Sequence, residues 1–233
     1  MSDTTPVGAA RFWRSRRSAA VAGIIFGVLL LTAMLMLRVA LSEDSLQSLQ
    51  SDARRRELIR LSLHLVPFAG IAFLWFIGVV REQIGEIEDR LFSTVFLGSG
   101  LLFLAMLFVG AVTFSSLLET LSRPNPDPEV WAYGRNTTRM LVSVYAMRMA
   151  AVFTLSVSSL ALRTSALPRW VAVSGFATAA VLLVAAGAQP WTQLVFPSWV
   201  LLVSLTILFT PSPHPSTPPG ESGRTTAEPP KDA

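Results

Sequence analysis

Leu101-Leu102-Phe103-Leu104-Ala105-Met106-Leu107-Phe108-Val109 is apolar at every position. A strand crossing a bilayer alternates apolar and polar residues, so a run that is apolar all round reads as a helix in lipid. The hydrocarbon core is about 30 Å thick, and a helix needs roughly 20 mostly apolar residues to cross it. Working outward from this run, the chain offers six such segments, near 19–37, 61–80, 91–118, 140–162, 170–188 and 191–210. The fold class is therefore all-α, a polytopic transmembrane bundle of six predicted helices.

Composition agrees with this reading. Of 233 residues 52% are hydrophobic and 15% charged, well below the roughly 25% charged residues of a soluble domain. The net charge of +4 comes almost wholly from arginines at the ends of apolar segments. That placement suits membrane orientation and argues against a nucleic-acid partner. With no cysteine, the chain has no disulfide, thiolate metal site or cysteine nucleophile.

Three regions divide the chain: a basic N-terminal segment at 1–18, the helical domain at 19–210, and a tail at 211–233. The tail is rich in Pro, Ser, Thr and Gly, cannot bury a core and is expected to be disordered. Arg11, Arg14, Arg16 and Arg17 precede the first apolar segment, which is too long for a signal peptide and reads as a retained anchor. Both termini are expected in the cytoplasm, and the dense N-terminal cluster sets that orientation. Of the two outer connections, 42–60 is expected to form an amphipathic helix lying at the interface. The other, 120–139, holds Pro124, Pro126 and Pro128 with Trp131 and Tyr133, and is expected to be irregular with aromatic anchors. Pro67 predicts a kink in the second span. Gln189 and Pro190 predict a tight hairpin between the last two.

Arg148 is the sharpest anomaly. It lies deep within the fourth span, where a charge costs about 2.5 to 3.5 kcal/mol on insertion scales. His64, Glu119, Tyr145 and Arg148 are the candidate intramembrane polar cluster, suited to binding an anion or relaying protons. The competing reading is a structural arginine satisfied by carbonyls or snorkelling outward. Gly23 and Gly27, spaced Gly-x-x-x-Gly, are the candidate helix-packing residues, and Ser174-Gly175 with Thr178-Ala179 offers a second small face. No Walker loop, His-Glu-x-x-His, Gly-x-Ser-x-Gly or dinucleotide motif occurs. Two histidines, one of them in the tail, suit neither haem nor zinc, so no cofactor or metal is expected.

The stretch His64-Leu65-Val66-Pro67-Phe68-Ala69-Gly70-Ile71-Ala72-Phe73-Leu74-Trp75-Phe76-Ile77-Gly78-Val79-Val80-Arg81, with Glu88-Asp89-Arg90-Leu91-Phe92 and Leu167-Pro168-Arg169-Trp170, resembles multi-pass membrane proteins of high-GC bacteria. The resemblance covers about 60–209 and implies a bacterial plasma membrane; it brings no activity, substrate or cofactor. The expectation is a membrane component without catalysis that binds or organises other membrane proteins, or itself, in the lipid bilayer. The alternative is a small-solute or ion transporter working through the Arg148 region. A lipid-acting enzyme using Glu119 and His64 as acid and base is a third class.

Overall fold

The computed structural model describes residues 7–40, 49, 51–84, 90–121, 126–164, 168–189 and 191–209. Its helices are α1 (Val7–Ala40), α2 (Ala53–Ile84), α3 (Arg90–Thr120), α4 (Pro128–Arg139), a π-helical segment (Met140–Ala146), α5 (Met147–Thr164), α6 (Arg169–Ala185) and α7 (Thr192–Phe209). Among the described residues there is no strand. α4, the π segment and α5 run on as one rod over Pro128–Arg163.

Five of these rods are long and apolar enough to cross a bilayer, and Arg169–Ala185 is a shorter apolar helix. The sequence predicts six comparable spans, with the fifth reaching 188. It ends early because Gly187 adopts φ +84, a left-handed conformation that closes a helix C-terminus and that glycine adopts without strain. The resulting turn is held by Arg139 Nη2, which donates to the Gly187 carbonyl at 3.4 Å, and by Thr192, whose hydroxyl donates to the Gln189 carbonyl.

Two expectations about the connections change. Pro128–Arg139 is helical rather than irregular. The cause is local: Asp127 accepts from the Glu129 N–H at 2.8 Å and Pro128 occupies the first turn, a side-chain cap followed by a residue that donates nothing there. Trp131 is buried against Phe114, ring centroids 6.3 Å apart, rather than exposed on the surface of the bundle. Within 42–60, the part from Ala53 onward is the first turns of α2 rather than a separate surface helix. Asp52 starts it by accepting from the N–H groups of Arg54 and Arg55 at 3.0 and 3.1 Å. α2 also continues through Pro67. Helix α1 begins at Val7, so the basic 11–17 segment is a helical extension of the first span. The tail at 211–233, Pro190, and most of 42–50 lie outside the described residues.

Lipid offers no hydrophobic drive for helices to associate, so shape-matched packing must hold them. α1 lies between α2 and α7, α3 joins α2 to the α4–α5 rod, and α6 packs on α5 and α7. At the centre, Phe26 (α1), Phe73 (α2), Phe103 (α3), Phe153 (α5) and Phe196 (α7) meet, all fully buried. Phe73 touches each of the other four, with centroids at 4.6, 5.3, 5.1 and 5.8 Å. Most of these pairs are edge-to-face or tilted, the arrangement the ring quadrupole favours.

Small residues bring the backbones of neighbouring helices together. A Cβ on Gly23 would fall on Ser204 Oγ of α7 and reach Phe76 at 3.0 Å, and one on Gly27 would meet Leu201 and the Pro197 carbonyl at 3.1 Å. The Gly-x-x-x-Gly face is thus filled within the chain. Gly175 in the second small face makes the same use of Ser158 on α5 and Trp199 on α7.

Candidate functional site

Glycine contacts fix which residues share a level. Gly70 lies opposite Phe108, Gly100 opposite Ile77 and Phe153, Gly110 opposite Val142, and Gly134 opposite Leu117. Arg148 falls between Val142 and Phe153, so it stands abreast of the stretch between Gly100 and Gly110. That stretch is the middle of the Ser93–Thr120 span. Glu119 lies one residue from the end of the same span, about 20 Å from the Arg148 level at 1.5 Å per residue. His64 lies between them, about 9 Å beyond Gly70 toward that end.

The four candidate cluster residues are not brought together. Each is exposed on the surface of the bundle, and among the described residues no hydrogen bond or ion pair joins any two. His64 is satisfied locally: its Nδ1–H donates to the Arg60 carbonyl at 2.7 Å. Only Tyr145 and Arg148 stay close, one turn apart on one face of the rod.

The π segment puts them there. One exposed stripe along the rod runs Glu129, Tyr133, Asn136, Met140, then Tyr145 and Arg148. Steps of three and four residues, the α-helical spacing, give way to a step of five across the π segment. An unbroken α-helix would carry the outward stripe from Met140 to Ser143 or Val144. Instead Ser143 is buried, and its hydroxyl accepts from the Gln193 amide of α7. The widened turn therefore does two things: it buries a serine in a bond between helices and keeps Tyr145 and Arg148 facing out. Segments of this kind recur at functional sites.

Ser143 and Gln193 were not among the residues singled out from sequence. Gln193 carries the signal, being an amide just inside an apolar span, where a side chain of that kind bonds across helices. Beside it is an apolar pocket of about 50 Å³ between α1, α2, α3 and the rod. Its polar lining is committed elsewhere, with the Ser62 and Thr138 hydroxyls donating to the carbonyls of Ile59 and Gly134 at 2.7 and 2.9 Å. The described residues hold no group of three or more His, Asp or Glu placed to share a metal ion. The arrangement offers an outward cation in an apolar belt.

No family model, no curated protein and no solved structure matches the chain.

Proposed function

We propose that this chain is a multi-pass protein of a bacterial plasma membrane that carries no catalysis of its own and binds or organises other membrane proteins. One observation carries the reading: Arg148 faces outward at the middle of an apolar span, and no group of the described chain satisfies it. A guanidinium in hydrocarbon costs several kcal/mol unless something pairs with it. A neighbouring chain provides that pairing without disturbing the packed interior. The transporter reading draws less support, because the polar residues it needs stand at separate depths and face away from the core.

The test is extraction of the full chain from its own membrane into polymer nanodiscs, followed by particle mass measurement. The expected particle contains a second polypeptide at fixed ratio that survives dilution and is lost with Arg148→Leu. A particle containing this chain alone would overturn the reading.

A further inference from the structure

We infer that the Tyr145–Arg148 face docks a transmembrane helix of another protein that carries a carboxylate at mid-bilayer depth. The inference rests on the function proposed above and specifies the partner. Charge complementarity makes the choice. The residues 19–42, 58–81, 90–118 and 130–220 contain no Asp or Glu, so a second copy of this chain has no carboxylate to offer at the Arg148 level. Glu119 and Glu57, near the span ends, would have to cross about half the bilayer to reach it.

A lipid phosphate is also too distant. Side chains on a helix tilt toward its N-terminus, which directs Arg148 toward Tyr145. Its three-methylene stem extends about one helical turn, roughly 5 Å, against about 15 Å from mid-core to the headgroups. At that depth the guanidinium remains in hydrocarbon, where low dielectric strengthens a charge-assisted pair. Its planar fork can receive a carboxylate through two parallel hydrogen bonds. The Tyr145 hydroxyl, one turn away and 56% exposed at the residue level, adds a donor on the same face.

The experiment uses the full chain, donor-labelled, in phosphatidylcholine vesicles with acceptor-labelled transmembrane peptides built of Leu and Ala. One peptide carries a single Asp at its centre and the control carries Leu there. Energy transfer should report association about tenfold tighter for the Asp peptide, equivalent to about 1.4 kcal/mol. Arg148→Leu should abolish the difference, and Arg148→Lys should retain part of it, since an ammonium keeps the charge but not the fork. Removing an outward charge should leave the fold intact, which an unchanged thermal transition of Arg148→Leu will verify. Equal association of both peptides with the wild type overturns the inference. So does Arg148-dependent transfer between copies of this chain, or an Arg148-dependent preference for phosphatidylglycerol vesicles without a peptide preference. Equal peptide binding alongside a two-protein native particle would defeat only the choice of partner; a solitary native particle would defeat the proposed function itself.

Discussion

Phe73→Ala will destabilise the folded protein by about 3 kcal/mol in an SDS titration in mixed micelles, whereas Trp75→Ala will change it by less than about 0.5 kcal/mol. The two aromatic residues are two positions apart on α2 and differ in what they touch. Phe73 is fully buried and meets rings from α1, α3, α5 and α7, while Trp75 is 71% exposed. In water, Phe→Ala in a core costs about 3 to 5 kcal/mol, part of it hydrophobic transfer. Lipid removes most of that part and leaves the lost packing contacts, so the low end of the range is expected. Equal effects at the two positions would mean that the aromatic centre is not what joins the helices.

Gly23→Leu will cost about 3 kcal/mol by the same titration, the upper end for overpacking, and Gly78→Leu will cost nothing or stabilise by up to about 1 kcal/mol. Helix propensity favours leucine at both sites. Space decides the sign. At Gly23 a Cβ would fall on buried Ser204 and press on Phe76, so α1 must move away from α7; at Gly78 nothing lies within 4 Å. A destabilisation at Gly78 matching that at Gly23 would contradict the packing described between α1 and α7.

The bundle itself was legible from residues such as 101–109, because a segment apolar on all faces has few other ways to satisfy its backbone. The Gly23 and Gly27 pair was legible as a packing face from its Gly-x-x-x-Gly spacing. The helix at Pro128–Arg139 was also readable, since Asp127-Pro128-Glu129 is a start signal; the density of prolines just before it drew the reading toward a loop. Gly187 lay beyond that kind of reading, as its positive φ depends on where α6 must end to let α7 return. The π segment is the clearest limit. Met140-Leu141-Val142-Ser143-Val144 carries no local mark of a widened turn, and the bond it makes to the Gln193 amide lies across the bundle, 50 residues away in sequence. The polar candidates were found one residue at a time, but their grouping required helix register. That register separates Glu119 and His64 from Arg148.

The central claim is that the outward apolar faces lie against lipid. Because the chain has no cysteine, single substitutions at Leu102, Val112 and Trp75, which are 49%, 66% and 71% exposed, can each carry one spin label in reconstituted bilayers. All three labels should collide readily with oxygen and hardly at all with a water-soluble nickel chelate. Strong collision with the nickel chelate at these positions would contradict the account.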